Sequence, residues 1–215
     1  GCGLILFILG DSMIEHLDEV LNNDPKWLKD FRQESLKKFQ SLPTESSALF
    51  MHQTKFKDFV FSESKSEKPN TNFHLDGEIF AIQNSGLTIK ISNSLKNKGI
   101  VFKKISEAIE THEDLIKNIL MKDTNDKFSS LNDALFNTGI FLYVPDNIIL
   151  NVPVRLVNLV GENIFSKNIV FVGKNSKISI IQEDYSSNYD SDTKIYSDSL
   201  DIVAKDNAAV EFSNI

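Results

Sequence analysis

The chain has 215 residues, of which 41% are hydrophobic, so it is long enough to bury a core in one large domain or two small ones. Thirty acidic residues against twenty-three basic ones give a formal net charge of −7, and without a Lys/Arg cluster we expect no nucleic-acid partner. The single cysteine, Cys2, allows no internal disulfide, which indicates a reducing, cytoplasmic compartment.

Both ends of the sequence have features of an incomplete chain. Residues 4–9 form an apolar run that is too short to span a bilayer, so we expect no membrane partner. Because Met13 has the context of a natural start, residues 1–12 are interpreted as a non-native leader. The alternating segment that ends at Ile215 has no terminating signal, and we expect further β-structure to follow it.

Residues 13–61 are predicted to form an amino-terminal helical region. After a first helix, Asp24 and Pro25 supply an N-cap and an N1 proline for a second helix, which should end before Pro43. Residues 62–72 are polar and aperiodic and contain a proline, so they are predicted to be a mobile loop.

Residues 73–138 are predicted to form an α+β linker region. The sequence alternates on both sides of residues 84–86, which predicts a β-hairpin. Residues 111–114 resemble a capping box ahead of one helix, and a shorter helix should end near Gly139.

Residues 139–215 contain three similar pieces, "YVPDNIIL", "FVGKNSKISI" and "IVAKDNAAVEF", each a strand, a polar corner and a strand. Their first strands align on valines 28 and 31 residues apart, Val144, Val172 and Val203. Pro145 and Gly173 then occupy equivalent corners, where proline removes no hydrogen bond from the sheet. We therefore predict a mainly β fold: a truncated right-handed parallel β-helix (β-solenoid), preceded by the α-helical and α+β regions. An antiparallel sandwich is the alternative.

The sequence assigns no catalytic, cofactor-binding or metal-binding residue. The four histidines are too scattered for a zinc site: His16, His52, His74 and His112. Arg155, together with Glu183 and Asp184, could contribute to the basic residue and calcium ligands of a β-helix polysaccharide lyase or hydrolase. The alternative interpretation is that Arg155 points outward at a corner and the two acids begin a solvated loop.

Four segments, in this order, resemble the SufB/SufD family. "DPKWLKDFRQESLKKFQSLP" is similar to its amino-terminal helix and "GIVFKKISEAIETHEDLIKNIL" to its linker. "SSLNDALFNTGIFLYVPDNIILNVPVRLV" resembles the entry into its β-helix, and "KDNAAVEFSNI" a later coil. The resemblance runs from Met13 to Ile215. In SufB-type chains a cysteine ends the strand that corresponds to "KISIIQED", whereas this sequence has Asp184 there, which favours the SufD type.

The resemblance implies a non-catalytic scaffold subunit of the SUF complex, on which iron–sulfur clusters are assembled. Its expected partners are a SufB-like paralogue and a SufC-like ABC ATPase, and an iron–sulfur cluster would be held transiently by the full complex. The family's cluster residues and SufC-binding segment correspond to positions beyond Ile215, so no cofactor is expected on these residues. A SufB paralogue with a displaced cysteine remains an alternative within the family.

Overall fold

The computed structural model describes residues 21, 24–42, 77–83, 86–122, 126–160, 164–186 and 195–215. The predicted leader, the first helix apart from its last residue, and the predicted loop at 62–72 lie outside these residues. The chain divides into two compact units, one of residues 1–63 and 121–137 and the other of residues 64–120 and 138–215.

The described elements give a mixed α/β chain. In chain order they are α1 (Lys26–Ser41), β1 (Ile79–Gln83), β2 (Leu87–Ile91), α2 (Asn93–Asn97), β3 (Val101–Lys104), α3 (Ile105–Thr111), α4 (Glu113–Leu120), α5 (Lys127–Leu135), β4 (Ile140–Val144), β5 (Val154–Val160), β6 (Ile164–Val172), β7 (Lys177–Ser186), β8 (Tyr196–Ala204) and β9 (Ala209–Asn214).

The first unit packs α1 against α5, with a buried arginine between them. Helix α1 begins one residue later than predicted: Pro25 caps it, and the Asp24 carboxylate instead accepts from Nε of Arg32 at 2.6 Å. Arg32 also donates to the carbonyl of Ala134 and lies over the ring of Phe136. The arginine draws Asp24 away from the free N–H groups of the helix because a buried guanidinium requires an anionic partner.

The carboxyl ends of these two helices differ in how well they were predicted. Leu42, which follows α1, has the extended backbone expected before a proline. Helix α5 ends at Leu135, four residues before the predicted end near Gly139. Gly139 is needed instead for a close approach, since a Cβ built there would collide with the backbone of Lys167.

The second unit contains two sheets, with strand orders β2-β1-β5-β7-β9 and β3-β4-β6-β8. The β1–β2 and β3–β4 pairs are antiparallel, which confirms the predicted hairpin, and every other pair is parallel. From β4 onward, successive strands alternate between the two sheets. The mainly parallel pairing excludes the antiparallel sandwich for the strands described here.

The strand register confirms one of the two predicted repeat spacings. Val144 pairs with Val172, as expected, but Val172 pairs with Ala204, and Val203 pairs with Phe171. The second spacing is therefore 32 residues, one more than predicted. A shift of one residue would reverse the two faces of β8 and turn Leu200 away from the core.

The corners of the repeats are built on asparagines in the left-handed backbone conformation, Asn147, Asn175 and Asn207. Their amides form a ladder, since Nδ2 of each of the last two donates to Oδ1 of the asparagine before it at 3.1 Å. Pro145 and Pro153 lie outside the strands, which confirms their prediction as corner residues. Asparagine tolerates positive φ better than other non-glycine residues, so it suits these positions.

Candidate functional site

The core of the second unit changes from apolar to polar along its strands. Ile178 and Ile180 of β7 are buried in the hydrophobic core, and the next residues on the same face are Gln182 and Asp184. Strand β5 follows the same order, with Asn158 after its apolar core residues. The strands therefore bring a group of polar side chains together at one end of the core, which we call the interior polar cluster.

The interior polar cluster is organised around the amide of Gln182, which is 3% exposed. Its Nε2 donates to Oδ2 of Asp198 at 3.0 Å and lies 3.3 Å from both carboxylate oxygens of Asp184. Thus one amide joins β7 to β8, which belong to different sheets.

Neutral donors supply the remaining hydrogen bonds to the two carboxylates. Asp184 accepts from Asn158 at 2.7 Å, from the Tyr196 hydroxyl at 3.1 Å and from Asn214 at 3.2 Å. Asp198 accepts from Asn168 at 2.7 Å. The cluster thus holds two carboxylates with amide and hydroxyl groups.

Burial changes the acid–base properties of this cluster. The pKa of Asp198 is raised, mainly by burial and also by the charge of Asp184, whereas hydrogen bonds from Gln182 and Ser166 act in the opposite direction. The pKa of Tyr196 is raised by burial and by the neighbouring Asp198 and Asp184 carboxylates, so its hydroxyl stays protonated and donates.

The opposite face of the β5–β7 pair carries a partly buried ion pair. Arg155 donates to Oε1 of Glu183 from Nε at 2.9 Å and from Nη2 at 2.5 Å, and the Tyr185 hydroxyl donates to Oε2 at 2.9 Å. The hydrogen bond to Glu183, together with the charge of that residue, raises the pKa of Tyr185.

This arrangement corrects the interpretation of Arg155, Glu183 and Asp184. Arg155 lies within β5 and not at a corner, and Glu183 is buried rather than part of a solvated loop. Glu183 contacts Arg155, whereas Asp184 belongs to the interior polar cluster, because consecutive strand residues project to opposite faces. The three residues therefore do not share the one face that the lyase hypothesis requires.

A buried cation lies on β6 and was not predicted from the sequence. Lys167 is 4% exposed, and its Nζ lies 2.8 Å from Oδ2 of Asp201 and 3.2 Å from the Ser199 hydroxyl. These contacts connect β6 to its neighbour β8 in the same sheet. Like the Arg155–Glu183 pair, they use charge to hold adjacent strands together.

Of the four histidines, only His112 lies in the described residues. Its ring packs 5.0 Å from the ring of Phe141, and its Nδ1 is 2.8 Å from the hydroxyl of Thr111. Burial lowers its pKa, and the charge of Lys103 adds to the effect. Cys2 and the other three histidines fall outside the described residues.

No group of three or more His, Cys, Asp and Glu side chains in the described part of the chain could hold a metal ion. No helix in that part is sufficiently long and apolar to cross a membrane.

The interior polar cluster could have been recognised from the sequence by its alternation. In "KISIIQED" the strand face that starts with the apolar Ile178 and Ile180 continues with Gln182 and Asp184. These two residues are polar, although they occupy positions where core residues are expected. The partners on β8 and β9 gave no comparable signal, because they lie 16 and 30 residues away along the chain.

The fold and its polar contacts define a mixed α/β protein whose mainly parallel strands stack from repeat to repeat. Comparison with known proteins then places it near one family: residues 72–156 match the family described as "SufBD protein N-terminal region". The chain is 26% identical over 216 residues to the iron-sulfur cluster assembly protein SufD of Bacillus subtilis, covering 90% of this chain and 49% of that protein. It is 22% identical over 223 residues to an iron-sulfur cluster assembly SufBD family protein of Staphylococcus aureus, covering 91% and 48%.

These matches confirm the resemblance to the SufB/SufD family along most of the sequence. The chain spans about half the length of the curated relatives that it matches.

Proposed function

We propose that this chain is part of a SufD-like scaffold subunit that acts in iron–sulfur cluster assembly. The observation that carries the proposal is the similarity to the SufD protein of Bacillus subtilis across 90% of the chain. In this proposal the subunit pairs with a SufB-like paralogue, binds a SufC-like ABC ATPase, performs no catalysis itself and works in the cytoplasm. The iron–sulfur cluster is the product that the assembled complex releases.

The proposal includes the architecture of the second unit as a right-handed parallel β-helix. Two features support it: strands alternate between the sheets from β4 onward, and from β6 onward each strand pairs in parallel with the strand two before it. The offsets lie between 26 and 32 residues, about one coil each. A right-handed path is the rule for parallel connections.

The contacts within the strands also support a scaffold. In the second unit the buried charges of Glu183 and Lys167, and the partly buried charge of Arg155, join neighbouring strands. The Asn147 to Asn207 ladder stacks the corners in the same way. Side chains engaged in this manner make a rigid stack with a defined side surface, which suits a subunit that positions other proteins.

The test is co-purification of the complete gene product, tagged and co-expressed with its neighbouring genes, followed by mass spectrometry. We expect to recover an ABC-type ATPase and a cysteine-containing paralogue. If a soluble, folded, tagged protein recovers neither of them, the proposal is wrong.

Two variants show whether capture depends on the folded strands. Leu142 is fully buried in the core, so Leu142→Asp should disrupt the stack and remove the paralogue from the purified material. Lys174 is exposed and its amino group pairs with Asp206, so Lys174→Ala should recover both partners. Equal recovery with both variants would show that the capture is non-specific.

A further inference from the structure

The interior polar cluster contains two neighbouring carboxylates whose hydrogen-bond donors are neutral, a feature that the proposed scaffold role does not explain. Asp184 and Asp198 are joined through one amide nitrogen, so the two carboxylates lie within a few ångströms of each other. Every group that the structure shows donating to them is neutral. Asp184 and Asp198 are both half-buried, and two like charges close together in such a site are unfavourable unless a positive charge joins them.

No cationic side chain in the described part of the chain fills that role. The groups that face the two carboxylates are Asn158 from β5, Ser166 and Asn168 from β6, Tyr196 from β8 and Asn214 from β9. The cations on the adjoining strands have other partners: Arg155 pairs with Glu183, and Lys167 with Asp201.

A second observation concerns the other end of the Gln182 amide. Its Oε1 is buried and accepts no hydrogen bond within the described structure. Amide geometry places this oxygen about 2.2 Å from Nε2, which itself bonds to both carboxylates. A buried amide oxygen without a donor is uncommon in native proteins and needs an explanation.

We propose that Asp184, Asp198 and Gln182 form an interior proton-binding site, in which one proton from solvent is taken up by Asp198 and is donated to Oε1 of Gln182. The step adds one O–H bond and breaks none within the protein, and it removes one negative charge from the core. Asp184 accepts hydrogen bonds from Asn158, Tyr196 and Asn214. The stack of strands thereby becomes sensitive to pH at the junction between its two sheets.

Asp198 is the member of the pair that takes the proton because its environment favours the neutral form. Burial and the charge of Asp184 both raise its pKa. The contacts from Gln182 and Ser166 oppose this rise but do not cancel it.

The test uses the complete gene product with ¹³C in the aspartate carboxyl groups and ¹⁵N in the glutamine side chains, titrated by NMR. The variant Asp198→Asn assigns the Asp198 resonance. We expect Asp198 to titrate above the ordinary pKa of an aspartate. The Gln182 amide resonances should shift at the same pH, and this shift should be absent in Asp198→Asn.

The variant Asp184→Asn tests the coupling between the two acids. Since it removes the neighbouring negative charge, we expect the Asp198 midpoint to move to lower pH. If this variant does not fold, the shift of the Gln182 amide resonances with pH in the wild-type protein tests the proposal. The proposal is overturned if Asp198 titrates at or below the ordinary pKa of an aspartate, or if the resonances of the Gln182 amide do not shift at the same pH. It is also overturned if added Ca²⁺ abolishes the titration, because the cluster would then be a metal site.

Discussion

Loss of the Arg155 guanidinium should destabilise the second unit more than loss of any exposed charge. In Arg155→Met the Glu183 carboxylate keeps the hydroxyl of Tyr185 but loses both bonds to the arginine. Breaking a fully buried ion pair costs about 3–5 kcal/mol. The side chain of Arg155 is 30% exposed and that of Glu183 is 8% exposed, so water compensates in part, and we expect a loss of about 2 kcal/mol.

This fall in the free energy of unfolding is measured by urea unfolding monitored with circular dichroism, and Tm should fall by about 4–8 °C. In Glu183→Met the remaining arginine can turn toward water. The free energy of unfolding of this variant should therefore fall by less, about 1 kcal/mol. The double variant Arg155→Met/Glu183→Met should lose no more than about 1 kcal/mol, since an apolar pair can replace a buried ion pair. The coupling between the two sites is therefore about 2 kcal/mol.

The matched control is the exposed pair of Lys174 and Asp206, which are 3.1 Å apart with exposures of 56% and 78%. Lys174→Met should change stability by less than about 0.5 kcal/mol. If Arg155→Met behaved like this control, the Arg155–Glu183 pair would contribute no more than a surface pair, and the reasoning from burial would be refuted.

Three other predictions concern the corners and the core. Asn175→Gly removes the two hydrogen bonds of the asparagine ladder, so the free energy of unfolding should fall by about 1 kcal/mol. Asn175→Ala should lower it by a further ~1 kcal/mol, because alanine is strained at φ 56. Equal losses of the two variants in thermal unfolding would contradict the backbone argument. Gly139→Ala should prevent accumulation of folded protein, since its Cβ would meet the Lys167 backbone, and normal soluble yield would show that the contact relaxes. Because the pKa of Asp198 is raised in the folded state, its stabilising contribution is lost as pH rises through that pKa. The stability of Asp198→Asn relative to wild type should therefore increase between pH 4 and pH 7 in urea titrations. A stability difference that does not change with pH would refute this prediction.

The sequence alone determined the features that depend on local residue order. Proline has no amide hydrogen, so Pro145 and Pro153 could be assigned to corners without knowledge of the partner strands. The hairpin of β1 and β2 followed from alternation around a turn. The spacing from Val144 to Val172 was also correct, because the two copies have no insertion between them.

Tertiary structure decided everything that depends on a partner from another repeat. Arg155 and Glu183 lie 28 residues apart, and Asp184 meets Asn214 from 30 residues further along the chain. Val203 was misaligned because both it and Ala204 fit the local pattern, and only the placement of Leu200 in the core selects one of them. Residue order fixes backbone preference and periodicity over a few residues, whereas the pairing of charges and the partial burial of Asp198 depend on which strands are adjacent. That adjacency is a property of the folded stack.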